Sequence, residues 1–210
     1  MAEERWDTYF LFMDPDWVPA EEDEEPPIEA VIGFWPLRED GEIAPFVSNS
    51  RYRPRDENAV TDPLDAVLRL AGRGDATAAQ IQLLLRDSLM DLGLNGDGRP
   101  LITRAPDGVP CVVLATSATQ RRLAFAPQWR RADLAAVVAA LPPDTDALVN
   151  PGGPVPFRLT GGFLRDTAAM TGEEQAAAYE RMRAEQPDRE LAVIPWVVGD
   201  RDATVTFTPR

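Results

Sequence analysis

The apolar and polar positions along this chain predict short strands at both ends and a mixture of helices and strands between them. Residues 5–13, RWDTYFLFM, are aromatic-rich and predict an opening strand that Asp14-Pro15-Asp16 breaks. Residues 28–35, IEAVIGFW, resume strand character, Glu39-Asp40-Gly41 supplies a hairpin turn, and residues 43–47 return. Thr61-Asp62-Pro63-Leu64-Asp65 opens a helix. Thr61 or Asp62 can accept the orphan N–H bonds, Pro63 suits the first helical position, and Asp65 favours the positive end of the dipole. A second helix starts at Thr77. Ile81, Leu84, Leu85, Ser88 and Leu89 keep helical spacing, which extends it toward Leu92 and ends it at Gly93. Asp107-Gly108 marks a hairpin between strands at 101–104 and 109–116. Asp133 opens another helix, closed by Pro142-Pro143, and residues 171–186 have alanine-rich helical propensity with Glu173 and Glu174 in the first turn. Residues 191–198 and 203–208 read as a closing hairpin.

The most constrained stretch is 141–166. An apolar run, Ala147-Leu148-Val149, precedes Asn150-Pro151-Gly152-Gly153-Pro154, and Val155, Phe157 and Leu159 alternate after it. The prolines lack the N–H and the glycines admit positive φ, so the centre cannot be helical. Two strand segments joined by a fixed loop follow. That loop is either a tight structural corner or a recognition surface, and the corner is favoured because none of its residues has obvious chemistry.

Composition narrows the chemistry. The chain has 210 residues, 44% of them hydrophobic, enough to bury a sizeable core. All 21 basic residues are arginine, and histidine and lysine are absent. Lysine Schiff bases, the P-loop lysine, histidine-dependent nucleophile pairs and, with Cys111 alone, the usual zinc sites are thereby excluded. Carboxylate acid–base work, hard metals on Asp or Glu, and arginine–anion contacts survive. The pairs Asp14/Asp16, Asp144/Asp146 and Asp200/Asp202 could each converge on Mg²⁺ or Ca²⁺ in a loop, although Asp is common in turns for backbone reasons. Cys111 sits in an apolar strand run with nothing to activate it and reads as a buried small hydrophobe.

The net charge of −14 argues against nucleic acid and anionic membranes as main partners and favours basic protein surfaces. Arg51, Arg53 and Arg55 interleave with Tyr52, and intrachain ion pairs or a partner contact suit them better than nucleic acid. Arg121-Arg122 and Arg130-Arg131 would form an anion site only if their loops converge; pairing with surplus carboxylates is the simpler expectation. No stretch approaches a membrane span, the acidic N-terminus lacks a signal-peptide n-region, and the lone cysteine fits a reducing compartment, so a cytoplasmic location is expected. The arginine-only, alanine- and proline-rich usage suggests a high-GC genome.

Several segments together resemble a known domain. Helix, DG hairpin, loop, helix and then PPDTDALVNPGGPVPFRL, over about residues 62–166, resemble the SseB-like domain. The set YRP (52–54), TDPLDAVL (61–68), APDGVPCVV (105–113), QWRR (128–131) and LVNPGGPVPFRL (148–159) resembles an actinobacterial family of type VII secretion system-associated proteins, known from streptomycetes. The resemblance implies an α+β fold with a mixed or antiparallel sheet and several packed helices. It carries no catalytic residues and no cofactor. It marks Asp62, Pro63, Asp65, Asn150, Pro151 and Gly152 as family positions.

The expected organisation is an N-terminal β-rich extension (1–61) with an acidic loop, an SseB-like unit (62–170), and a C-terminal helix and hairpin (171–210) packed on the same domain. The expected function is a non-enzymatic cytosolic adaptor or chaperone-like role beside a type VII system. Trp17, Trp35 and Tyr52 are candidate surface contacts, and Asp62, Asp65, Asn150, Gly152 and Gly153 are marker positions. The expected partners are secretion components or substrates. An immunity protein against a secreted toxin and a carboxylate- or metal-dependent enzyme are the alternatives. Tyr52 to Asp56 matches the YxxxD export signal by letters, but Pro54 lies inside it and no WxG turn is present, which argues against an exported substrate.

Overall fold

The computed structural model describes residues 8–18, 20, 26–38, 43–185 and 196–197. Two sheets and six α-helices among these residues make the fold α+β. The smaller sheet has the order β10-β1-β2-β3, from β1 (Thr8–Met13), β2 (Val31–Pro36), β3 (Val47–Ser48) and β10 (Trp196–Val197). All its pairings are antiparallel, and β10 brings the C-terminal region back onto β1. The return strand expected at 43–47 is reduced to a bridge at Ile43 and the two residues of β3. The turn at 39–41, most of the acidic run at 20–27 and most of the closing hairpin lie outside the described residues.

The larger sheet holds the main core. Its order is β7-β4-β6-β8-β9, where β7 is Gln128–Ala132 and β4 is Met90–Leu94, with β5 (Ile102–Arg104) also on β6. The strands β6 (Pro110–Ala115) and β8 (Asp146–Val149) are parallel, Cys111 facing Asp146 and Leu114 facing Val149. The strands β5 and β6 form the hairpin expected around Asp107-Gly108, with Gly108 at φ 86°. The strands β8 and β9 (Phe157–Leu159) flank the Asn150–Pro154 corner as antiparallel neighbours. Leu92, Leu114, Val112, Ala147 and Val149 point to one face, where α1 (Pro63–Gly72), α2 (Ala78–Arg86), α4 (Leu134–Ala140) and α5 (Gly161–Ala169) cover them. Burying each Leu or Val in this cluster contributes roughly 1.5–3 kcal/mol.

Helix starts follow local chemistry. The Asp62 side chain accepts from Asp65 N, Thr77 and Gln80 form a capping box, Asp133 caps α4, and Thr160 caps α5. The final helix α6 (Gly172–Glu185) is fastened to α2. The Tyr179 hydroxyl donates to Asp87 Oδ2 at 2.5 Å, and Arg86 bonds Gln175 while closing the carbonyls of Thr167, in α5, and of Met170, just past its end.

One expectation is corrected. The helix starting at Thr77 ends at Arg86, and Met90–Leu94 is a strand, β4, buried throughout between β7 and β6. Leu85, Leu89 and Leu92 satisfy helical spacing, but Met90, Leu92 and Leu94 also alternate, and pairing on both edges decides for the strand. The segment 117–131, which carries no strong periodicity, forms α3 (Ala118–Leu123) and the edge strand β7 (Gln128–Ala132).

Candidate functional site

Three marker positions, Asp62, Asp65 and Asn150, converge with Thr61 and Thr116 where β6 and β8 end side by side. Thr116 follows β6, Asn150 follows β8, and the N-terminus of α1 brings Thr61, Asp62 and Asp65 against them. The Thr116 hydroxyl donates to Asp62 Oδ2 at 2.6 Å, and Asn150 Nδ2 donates to the Thr116 hydroxyl oxygen at 3.0 Å. Asn150 Oδ1 accepts from Thr116 N at 3.0 Å. Asn150 has φ 51°, a left-handed conformation that Asn tolerates better than most residues, and its own N–H bonds the Leu114 carbonyl. Asp65 receives Arg69 twice, at 3.0 Å from Nε and 2.8 Å from the terminal guanidinium nitrogen. Arg69 then ties down the Asn58 and Ala59 carbonyls. Gln120, from α3, donates to the Thr61 hydroxyl oxygen at 3.1 Å.

The glycines of the corner allow this approach. A Cβ at Gly152 would collide with the Leu123 carbonyl, and one at Gly153 with the Gln120 side chain. Gln120 Oε1 is the only buried side-chain polar atom among the described residues without a hydrogen-bond partner. At this point the loop packs as a corner, Asn150 bonding Thr116 and the glycines lying against α3, and so forms a clasp between α3, α1 and the strand ends.

Burial and the neighbouring Asp65 carboxylate push the Asp62 carboxyl up to about 6. A carboxyl titrating near neutrality is a known mark of acid–base sites. Here its oxygens already accept from Asp65 N, Thr61 and Thr116, and the cleft that reaches it has room for about one water. Phe46, Ser48, Ser88, Leu89 and Arg131 line that cleft with Pro63 and Thr116. Its geometry suits holding elements together more than receiving a substrate.

The aromatic candidates lie elsewhere, in the smaller sheet. Tyr52 is only 1% exposed and is not a surface contact. Its hydroxyl shares its one proton between Asp14 Oδ2, at 3.1 Å, and the Val60 carbonyl, and burial beside Asp14 pushes its ionisation well up. Trp35 is half-buried in a ring cluster with Phe12 and Phe46, centroids 5.8 and 4.8 Å away. Trp17 is half-buried beside the Asp14 turn. These three therefore share a region but not an exposed patch. Arg51 pairs with Glu29, and Arg53 and Arg55 hold backbone carbonyls, so this exposed arginine group makes intrachain contacts.

Of the Asp pairs, Asp14 accepts from Asp16 N and Tyr52, and Asp146 accepts from Gly161 N and Arg158. Among the described residues no three acidic or thiol groups gather as metal ligands. Asp200/Asp202 lie outside the described residues. Cys111 is fully buried and burial raises its thiol, as its strand position predicts.

The segment expected to carry either an arginine anion site or surface arginines also exposes apolar side chains. Leu123, the last residue of α3, is 52% exposed, and Phe125, on the loop between α3 and β7, is 84% exposed. Arg121 and Arg131 do converge, but on Asp91, at 3.7 and 3.5 Å. The residues missed were Thr116, Gln120, Arg69 and Phe125. Only Arg69 had a readable signal, its i, i+4 spacing from Asp65. No family model matches this chain, and no curated protein or solved structure matches it. No helix among the described residues is long and apolar enough to cross a membrane.

Proposed function

We propose that this chain is a non-enzymatic accessory protein of a type VII secretion system, an adaptor or chaperone-like component that works in the cytoplasm by binding another protein. The observation that carries the reading is the rigid mounting of an exposed apolar side chain. Phe125 stands 84% exposed on a short loop whose ends are held by α3 and β7, with the Leu123 backbone pressed on Gly152 and Ala126 on Gly93. An aromatic group exposed on a pre-organised loop is the usual anchor of a protein interface. The motifs resembling SseB-like secretion-associated proteins point to the system, and the buried Asp62 cluster is the scaffold that positions the loop.

A second reading has one observation in its favour. Burial and Asp65 raise the Asp62 carboxyl to about 6 beside a cleft, which suits a carboxylate-dependent enzyme. Affinity capture decides between them. Tagged protein from an actinobacterial lysate is expected to retain a secretion ATPase, a membrane component or a small helical substrate, and Phe125→Ser to lose it. Capture of none of these by the wild type sinks the accessory role.

A further inference from the structure

The strand β7 ends its sheet, and among the described residues nothing pairs with its outer edge. The Gly93 carbonyl accepts from Leu101 N at 2.9 Å, so Gly93 and Asp91 turn their backbone groups toward β5 and β6. Met90, Leu92 and Leu94 therefore turn theirs toward β7, where they face Ala132, Arg130 and Gln128. Trp129 and Arg131, the alternate residues of β7, send N–H and C=O outward. Among the described residues no strand pairs with them.

The charge around that edge is opposite to the charge of the chain. Residues 121–131, RRLAFAPQWRR, hold four arginines and no acid, in a protein with 35 acidic and 21 basic residues. Asp91 engages Arg121 and Arg131, leaving their side chains 45% and 42% exposed. Arg122 bonds Thr119, and among the described residues neither Arg122 nor Arg130 has a carboxylate partner. Charges beyond about 8 Å are screened at physiological salt, so a short segment lying here meets the arginines rather than the net negative field. A long polyanion or a charged membrane would meet that field as well.

We propose that the β7 edge, flanked by these arginines and by Phe125, docks an extended acidic segment of a partner protein that adds as a strand to the larger sheet. Main-chain bonds to Trp129 and Arg131 would hold it, and acidic side chains would set its register against the arginines. This rests on the accessory reading for the identity of the partner, but the surface stands on its own geometry.

The test uses the full chain and a labelled peptide of about ten residues alternating glutamate with valine, read by fluorescence anisotropy. Saturable binding that weakens at high salt is expected. Methylating every second peptide nitrogen should weaken it by about tenfold or more, because strand addition needs those N–H groups. The double variant Arg122→Ser/Arg130→Ser should weaken it about fivefold with an unchanged circular dichroism spectrum. Equal binding of the methylated peptide, no saturation by about 1 mM, or tighter binding of single-stranded DNA or anionic vesicles would overturn the proposal. Affinity capture keeps the two claims apart. If wild type and double variant retain secretion components equally, the accessory role stands and this surface falls. Peptide binding without such components leaves the surface and removes the role.

Discussion

The Asp62 cluster and the arginine strip at 121–131 are both built from charged and polar side chains, yet they end in opposite states. In the cluster, Asp62, Asp65, Thr116 and Asn150 bond one another, and Asp65 and Asn150 are 2% exposed. In the strip, Asp91 takes up two arginines, while among the described residues no carboxylate pairs with Arg122 or Arg130 and no strand pairs with the outer edge of β7. Buried polar groups that satisfy one another specify an arrangement, and exposed ones contribute little until something binds them. The two regions meet in α3, which gives Gln120 to the cluster and Arg121 to the strip. The marker residues therefore act at a distance: they fix where the strip stands.

Breaking the cluster should have the largest effect. Asp65→Ala strips Arg69, only 11% exposed, of its carboxylate and removes an acceptor from Thr61. A loss of about 3–5 kcal/mol is expected, since a buried ion then has no counter-charge. Thermal melting should fall on the order of 10 °C for a chain of this size. A change under about 1 kcal/mol would show that the cluster holds nothing together. Gly152→Ala comes next, at about 1–3 kcal/mol, because its Cβ meets the Leu123 backbone carbonyl, which cannot rotate away. Gly162→Ala is the control: nothing lies within 4 Å of its added Cβ, and in a helix it should be neutral or stabilising. Equal denaturation midpoints for the two variants would remove the clasp.

Much of this architecture is legible in the residues, for local reasons. Asp62 before Pro63, the helix start at Thr77, and Gly108 in its hairpin all act within a few positions, and the structure has each where the pattern predicts. The fate of 90–94 was not legible, because Met90, Leu92 and Leu94 satisfy two periodicities and only pairing with β6 and β7 separates them. Asp62, Asp65 and Asn150 could be singled out by motif. Their meeting through Thr116 could not, since it depends on the parallel register of β6 and β8. Tyr52 was misplaced because an aromatic among arginines looks exposed, whereas its hydroxyl finds Asp14 across 38 residues.

The cluster also predicts a pH dependence whose sign is opposite to that of a salt-bridged carboxylate. The Asp62 carboxyl rises from 3.8 to about 6 on folding, so between those values the folded chain keeps a proton that the unfolded chain has released. Its contribution to stability is complete below pH 3.8 and is lost as pH rises through about 6. Asp62→Asn keeps an oxygen for Asp65 N and offers an amide to the Thr116 hydroxyl, without a charge. Its advantage over wild type should grow from near zero at acid pH to roughly 1–3 kcal/mol at neutral pH. Denaturant midpoints measured across that range should diverge. Parallel curves would mean that Asp62 titrates normally.

The smallest effect on stability sharpens the contrast most. Arg122 and Arg130 hold no carboxylate among the described residues, so Arg122→Ser/Arg130→Ser should shift unfolding by no more than about 0.5 kcal/mol. The same change should weaken the acidic peptide about fivefold. Asp62→Asn should do the reverse, moving stability with pH while leaving peptide affinity alone at a pH where both chains are folded. A double variant whose stability fell as far as that of Asp65→Ala would place these arginines inside the scaffold. The distinction between a satisfied interior and an open edge would then be lost, because the strip would owe its charge to folding and not to a partner.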